Sequence, residues 1–192
     1  MPDENSQSAQ RPLHIRPLAE RRNLVQKEAF AKVLPPVDGF LTWFEALPDI
    51  YGSKSLKAVV AEIITARENG REVGVQLGAH VLKVGLSPLI IDLMRRGLIT
   101  HVATNGASAI HDWEMAYQGA TSEDVGENLP DGSFGFWRET LDALSGAAKR
   151  AQANSEGYGE AIGKTILEGE LPHRELSVFS EATRLGIPAT VH

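Results

Sequence analysis

Two short turns of small residues, Gly78-Ala79-His80 and Asn105-Gly106-Ala107-Ser108, have the residue types that could bind an anionic ligand. Small side chains let backbone N–H groups approach a ligand closely, and the N-terminus of a helix favours negative charge. Any α/β protein also needs such turns to join a strand to a helix. The sequence has neither G-x-G-x-x-G after a β-rich run nor G-x-x-x-x-G-K-[ST], so the spacing leaves both interpretations open.

His111 and Asp112 follow the second turn and are the candidate catalytic residues. Histidine titrates near neutral pH, so His111 could act as a proton shuttle. A histidine in the first turn of a helix is also commonly a plain polar residue, and both interpretations stay open. Together with Glu114, the pair matches no standard zinc-site spacing, so no metal site is predicted.

Each turn is predicted to lie between a strand and a helix. The β-rich residues 73–77 precede the first turn, and residues 99–104 precede the second. A helix over residues 88–96 lies between them, with Ser87 as its predicted N-cap and Pro88 at its first position. Gly97 follows two arginines and suits the left-handed conformation that commonly ends a helix.

A second helix, over residues 109–117, follows the second turn. This order of strand, turn and helix predicts a parallel α/β sheet with helices on both faces. Ligands of open parallel sheets bind at the carboxyl ends of the strands. The two turns would then meet at one edge of the sheet, which is the predicted ligand site.

Composition limits the class of protein. Of the 192 residues, 42% are hydrophobic, which is enough for one domain with a substantial core. The net charge of −6 argues against a general nucleic-acid-binding surface, and a chain without cysteine has no disulfide or thiolate chemistry. No apolar run reaches membrane-span length, and the N-terminus is polar and acidic, so we expect a cytoplasmic protein without nucleic-acid or membrane partners.

The N-terminal part of the chain is predicted to be helical after a polar start. Residues 1–20 form a tail that either grips a neighbouring subunit or is solvated, and residues 20–34 form a helix. Residues 40–47 form a short aromatic helix, expected in a core or a subunit interface. The next helix, from Ser53, is predicted to bury an apolar face made of Leu56, Val59, Val60, Ile63 and Ile64.

The C-terminal part is predicted to contain a long connection, three helices and a strand. Residues 119–135 are long enough to be a functional lid or an interface. The helices run from the aromatic residues 134–137 to about residue 150, then over 155–168 and 173–185. Gly157, Gly159 and Gly163 in the middle helix indicate either close packing against another chain or a ligand, or fraying. No turn or helix follows the strand at residues 187–191, so we expect an incomplete sheet, either truncated or completed by a partner.

The run LSPLIIDLMRRGLITHVATNGASAIHD, residues 86–112, resembles the deoxyhypusine synthase family. In that family a helix and a strand lead to a small-residue turn of TAGG type, followed by acidic residues. The equivalent turn here is Thr104-Asn105-Gly106-Ala107, and Gly78-Ala79-His80 resembles the family's first cofactor turn. The resemblance spans most of residues 55–192 and rests on the order of these features rather than on one diagnostic motif.

The resemblance implies a Rossmann-like parallel sheet that binds NAD, within an α/β domain over residues 21–192 that has an N-terminal helical arm. Family members oxidise the polyamine spermidine, transfer its aminobutyl group to a lysine or a small amine, and assemble as tetramers. The implied partners are therefore a polyamine or other amine, a protein-lysine acceptor and further copies of the chain. Carried over by position, the NAD contacts would be Gly78, Ala79 and His80 at the first turn and Asn105, Gly106 and Ala107 at the second.

Two features depart from the family pattern. The paired glutamates that hold the polyamine align with Ile110 and His111, so only Asp112 remains acidic there. The family's catalytic lysine lies beyond the final strand, and neither Lys83 nor Lys164 falls at its position. The expected function is therefore either an NAD-dependent aminobutyl-type transferase or a divergent, non-catalytic nucleotide-binding oligomer.

Overall fold

The computed structural model describes residues 39–122, 125–128, 130, 134–135 and 137–192. The tail predicted for residues 1–20 and the helix predicted for residues 20–34 lie outside the described residues. The chain divides into two compact units, Met1–Val59 and Val60–His192. None of the helices in the described ranges combines the length and apolar character needed to cross a membrane.

The aromatic helix predicted near residue 40 is confirmed as α1, Phe40–Ala46. The Phe40 ring lies 5.4 Å from the Trp43 ring and 5.9 Å from the Phe44 ring, measured between centroids. The Lys57 ammonium donates to the carbonyls of Glu45 and Leu47, at 3.0 and 2.7 Å. Because these are the last carbonyls of α1, which no intrahelical donor reaches, Lys57 fixes the end of that helix.

Helix α2, Tyr51–Glu68, has the predicted apolar stripe but does not bury it. No residue of α2 is buried, and Leu56, Val59 and Ile64 are 49%, 56% and 49% exposed. The prediction of a buried face was wrong because helical periodicity shows that a face is apolar and not what covers it.

Within the described ranges, three short parallel strands form the sheet, as predicted. They are β1, Gly74–Gln76, β2, His101–Thr104, and β3, Ala189–Val191, in the spatial order β1-β2-β3. The register pairs Val75 with Val102 and Ala103 with Thr190. The protein is therefore a mixed α/β protein with a small parallel sheet. Among the described residues the strand order follows the chain without reversal, so the sheet has no topological switch point of the kind found in Rossmann sheets.

Two helices, α3 at Ala79–Lys83 and α4 at Ser87–Arg95, connect β1 to β2. The predicted N-cap of α4 was wrong by one residue, because Leu86 is the cap and Ser87 is already helical. Ser87 is buried at 3% exposure and its side chain makes no capping bond. Gly97 has the predicted left-handed conformation, with a φ of 67°.

The connection from β2 to β3 is helical. Its helices are α5 at Gly106–Gln118, α6 at Val125–Asn128, α7 at Arg138–Asn154, α8 at Tyr158–Glu168 and α9 at Val178–Leu185. The helix predicted for 173–185 is divided into a 3₁₀ turn, Arg174–Leu176, and α9, because the Ser177 side chain caps α9 by accepting from the Ser180 N–H. The helix predicted from residue 155 begins at Tyr158, since Ser155 ends α7 in the left-handed conformation.

The glycines of α8 allow close packing within the chain itself. A Cβ on Gly159 would collide with the backbone of Ala189 in β3, and one on Gly163 would collide with Phe179 and Thr183 in α9. The sequence left a choice between close packing against another chain or a ligand and fraying. The glycines do pack closely, but against β3 and α9 of the same chain.

An ion pair between a buried carboxylate and a half-exposed arginine joins α9 to α4. Glu181 is 5% exposed and accepts hydrogen bonds from Arg184 at 2.6 Å and Arg95 at 2.7 Å. Hydrogen bonds from Arg184 and Arg95, which outweigh the opposing effect of burial, lower the pKa of Glu181 to about 2. Helix α4, which leads into β2, is therefore tied to the helix that leads into β3.

Candidate functional site

The two predicted cofactor turns lie at the same edge of the sheet. Gly78 is the N-cap of α3 just after β1, and Asn105 is the N-cap of α5 just after β2. The Leu77 N–H donates to the Ala103 carbonyl at 3.0 Å, which extends the pairing of the two strands up to the turns. Because β1 and β2 are neighbouring parallel strands, their carboxyl ends meet at this edge.

The turn after β2 is held open by its own polar side chains. The Asn105 Oδ1 accepts from the Ser108 N–H and the Ser108 hydroxyl, both at 3.1 Å. A Cβ placed on Gly78 or Gly106 would meet no atom within 4 Å, and neither residue has a positive φ. Their small size is therefore not required by packing or by backbone conformation, and it leaves space in front of the turns.

Thr104, the last residue of β2, has an unsatisfied polar atom at this edge. Its side chain is 7% exposed, and its Oγ1 has no hydrogen-bond partner within the described part of the chain. Buried hydroxyls are normally hydrogen-bonded, so the Thr104 hydroxyl is an exception. Its oxygen is itself buried, so it is not exposed to the open space in front of the turns. The first N–H groups of α5 also have no acceptor within that helix. The backbone N–H groups of Gly106 and Ala107 could therefore hold an anionic group such as a phosphate.

A pocket of about 470 Å³ lies beside this edge, along one side of α5. Its wall contains the aromatic residues Trp113, Tyr117, Phe134 and Trp137. The rings of Trp113 and Tyr117 stack with their centroids 4.8 Å apart. Lys83 from the end of α3 and Glu139 from the start of α7 also line the pocket. The pocket therefore combines flat apolar surfaces with a few charged groups, as small-molecule sites do.

His111 and Glu114 belong to this pocket and are joined by hydrogen bonds. The His111 Nδ1 lies 2.7 Å from the Thr121 hydroxyl, which in turn donates to the Glu114 Oε2 at 2.5 Å. The Thr140 hydroxyl donates to the other oxygen, Oε1, at 3.1 Å. The network fixes both side chains, which extend from neighbouring turns of α5.

Partial burial lowers the pKa of the His111 imidazole below its ordinary value of 6.5. The negative charge of Glu114 acts in the opposite direction, while Lys83 and His80 lower the pKa further. His80, a predicted cofactor residue at the sheet edge, is therefore electrostatically coupled to His111 in the pocket. The neutral imidazole is the form expected near neutral pH.

Asp112, the second predicted catalytic residue, has a structural position. It is 0% exposed, and its oxygens accept from the Ser177 hydroxyl at 2.5 Å, the Val178 N–H at 2.7 Å and the Phe179 N–H at 3.4 Å. Burial raises the pKa of Asp112 to about 6, while these hydrogen bonds act to lower it. Asp112 thus caps α9 from the buried face of α5, and its catalytic role stays a prediction that this geometry does not favour.

From the sequence, Glu114 was considered only as a possible metal ligand, and Thr121 and Thr140 were not predicted. Glu114 follows His111 by three residues in a helix, and that spacing places two side chains on the same face. The spacing was therefore a readable signal for Glu114. Thr121 and Thr140 had no such signal, because α5 and the start of α7 bring them to the pocket only after folding.

Comparisons with known proteins assign no family to this chain. No protein-family model matches it, and no curated protein matches it either. Among the residues that the structure describes, no cluster of three or more His, Asp or Glu side chains could hold a metal ion.

Proposed function

We propose that the protein is a deoxyhypusine-synthase-like transferase that binds NAD at the sheet edge and an amine substrate in the adjoining pocket. It would move an aminobutyl-type group from a polyamine to a lysine or amine acceptor. The observation that supports this proposal best is the open edge itself. There, two turns with unfilled space meet the N-terminus of α5. When bound, NAD supplies an acceptor for hydride from the carbon next to an amine nitrogen.

The positions of α3 and α5 connect the cofactor edge with the pocket. Both helices begin at the edge and both line the pocket. Helix α3 reaches it with Lys83, and α5 reaches it from Ile110 onwards. From Gly106 to His111 the helix advances about 7.5 Å along its axis. A cofactor held at the edge by its phosphates would therefore have the pocket within the length of a dinucleotide.

The lining of the pocket supports an amine substrate. The polyamine-binding glutamates of the family align with Ile110 and His111, yet Glu114 and Glu139 supply two carboxylates nearby. Aromatic faces also attract ammonium groups, and Trp113, Tyr117, Phe134 and Trp137 provide them. Lys83 is a cation like the ammonium groups of a polyamine and would repel them. A ligand with several ammonium groups would therefore place them away from α3.

A second candidate function is a non-catalytic nucleotide-binding protein of the same family. One observation favours it: Asp112, the second candidate catalytic residue, is used as a buried cap. This alternative requires NAD binding at the edge but no amine binding in the pocket. The two functions are therefore separated by titrating the cofactor and the amine independently.

Replacement of Gly106 tests the cofactor site. We expect Gly106→Val to weaken NAD binding by about tenfold or more, equivalent to about 1.4 kcal/mol, because its side chain enters the open space in front of the turn. The melting temperature should stay nearly unchanged, since a Cβ at this position meets no neighbour. Isothermal calorimetry and thermal unfolding measure the two quantities.

The matched control is Gly146→Val, since Gly146 also has an open Cβ position but lies in α7 away from the edge. The control should bind NAD like the wild type. Equal NAD affinity in all three proteins, or no affinity in any, would reject the cofactor site. If NAD binds and spermidine added to the NAD complex releases no heat, the non-catalytic alternative is favoured.

The apolar stripe of α2 predicts an oligomer, a tetramer by family resemblance. We expect sedimentation at micromolar concentration to show an assembly, and Ile64→Asp to shift it towards smaller species because the charge would enter an apolar contact. The exposed Phe40 and Trp43 of α1 are further interface candidates. Glu62→Ala on the same helix is the control and should leave the assembly unchanged. A monomeric wild type would contradict the prediction.

A further inference from the structure

Three hydrogen bonds link His111, Thr121, Glu114 and Thr140 along the wall of the pocket. The distances are 2.7 Å from the His111 Nδ1 to the Thr121 Oγ1, 2.5 Å from there to the Glu114 Oε2, and 3.1 Å from the Thr140 Oγ1 to the Glu114 Oε1. Thr140 is buried at 8% exposure, and His111 is half-buried. The side chains come from α5, from α7 and from the segment that follows α5.

The chemistry of these groups sets the direction of each hydrogen bond. A carboxylate only accepts, so both threonine hydroxyls donate to Glu114. Thr121 has one hydroxyl proton, and that proton is used on Glu114. Towards His111 the Thr121 oxygen can therefore only accept, and the proton of this bond must belong to the His111 Nδ1. In the neutral ring, the second nitrogen, Nε2, is then unprotonated.

We propose that the His111 Nε2 is the proton-accepting group of this pocket and that Thr121 and Glu114 are positioning residues that hold the ring in the Nδ1–H tautomer. Within the described residues, Nε2 has no hydrogen-bond partner, so its lone pair is available to a ligand. The reaction is one proton transfer. An O–H or N–H bond of the ligand breaks, its electron pair stays on the ligand atom, and an N–H bond forms at Nε2.

Glu114 stabilises the product of this transfer. Once Nε2 is protonated, the ring is positively charged, and the Glu114 carboxylate lies one hydroxyl away through Thr121. The carboxylate itself cannot turn away from Thr121 easily, because the buried Thr140 holds its second oxygen. This arrangement resembles the way a carboxylate orients a histidine base in hydrolases, with a hydroxyl inserted between the two groups.

The charged groups around His111 keep it ready to accept a proton. Burial lowers the pKa of His111 most, and Lys83 and His80 from α3 lower it further. Glu114 raises this pKa, and Glu139 from α7 is the other carboxylate that lines the pocket. Since the resulting pKa lies below 6.5, the unprotonated Nε2 is the expected form near neutral pH.

This inference rests on the proposed function only for the identity of the ligand. Under that function the proton comes from an ammonium group of the substrate, which becomes the neutral amine. A ligand with an acidic hydroxyl would be served by the same geometry. The state of the ring in the free protein is independent of both NAD and amine, so it can be tested even if neither binds.

Nitrogen-15 NMR of the full chain with labelled histidine tests the proposal. Long-range ¹⁵N–¹H correlations distinguish the two tautomers, and the His111 signals are assigned as those lost in His111→Gln. We expect the Nδ1–H tautomer in the wild type and its loss in Thr121→Val, which removes the hydroxyl but keeps the shape. Thr121→Ser should restore the wild-type tautomer, which a purely steric role would not require.

Charge substitutions complete the test. Glu114→Gln should lower the pKa of His111 further, because Glu114 raises it in the wild type. Glu139→Gln, at the other carboxylate of the pocket, should leave the tautomer unchanged. An Nε2–H tautomer in the wild type, or an unchanged Nδ1–H tautomer in Thr121→Val, would overturn the proposal. Failure of NAD or spermidine to bind with the Nδ1–H tautomer present would overturn only the proposed function.

Discussion

Substitution of Gly163 by alanine is expected to destabilise the protein strongly, although alanine normally favours a helix. The new Cβ would collide with the Phe179 carbonyl and the Thr183 hydroxyl of α9. The carbonyl is backbone and cannot move without shifting α9, so α8 and α9 would have to separate. Overpacking of a core typically costs about 1–3 kcal/mol or more, against a gain of about 1 kcal/mol in helix propensity. We expect a net loss of about 2 kcal/mol and a fall in melting temperature of roughly 4–8 °C.

The same substitution at Gly146 provides a control with the opposite sign. Gly146 lies in α7, and a Cβ there meets no atom within 4 Å. Gly146→Ala should therefore stabilise the protein by up to about 1 kcal/mol through helix propensity alone. Thermal and denaturant unfolding of both variants measure the difference. Equal stability of the Gly163→Ala variant and the wild type would show that α8 and α9 are not packed through this glycine.

The strands and the turns of the sheet could be predicted because their signals are local. The β-rich runs before Gly78 and Asn105 lead into small-residue turns, and that order alone specifies parallel strands joined by helices. All three strands were confirmed as parallel, each shorter than predicted. Their common edge follows from parallel pairing, so the location of the two turns could also be predicted.

Properties that depend on what lies opposite a residue could not be predicted. The stripe of α2 and the core face of α5 have similar apolar periodicity, yet Ile64 is exposed and Trp113 is buried. The α8 glycines show the same limit, because the sequence indicates a weak helix and not the elements that approach it. Asp112 is the clearest example. It lies beside His111 in sequence, but helix geometry turns the two side chains to different surroundings.

Replacement of Asp112 by alanine is expected to be the most damaging single change near the pocket. The Ser177 hydroxyl and the N–H groups of Val178 and Phe179 would lose their acceptor in a fully buried environment. Each buried group left without a partner costs about 1–3 kcal/mol, so we expect the three groups together to cost at least about 3 kcal/mol. That is a large part of the stability of an ordinary domain, which is about 5–15 kcal/mol. Denaturant unfolding at neutral pH measures the loss.

The pH dependence of folding stability, compared between the wild type and Asp112→Asn, tests this structural role of Asp112. Asparagine keeps one oxygen for the Val178 N–H, so the variant should lose less stability than Asp112→Ala. In the wild type the folded-state pKa is raised from 3.8 to about 6, mainly by burial. The contribution of Asp112 to the stability of the fold is then largest below the pKa that it has in the unfolded chain. This contribution is lost as pH rises through the pKa that it has in the folded protein. Asparagine does not titrate. The stability difference between the wild type and Asp112→Asn should therefore narrow as pH rises from 3.8 to about 6. A constant difference across this range would contradict the raised pKa. If Asp112→Ala is as stable as the wild type, Asp112 does not cap α9, and it is again a candidate catalytic residue.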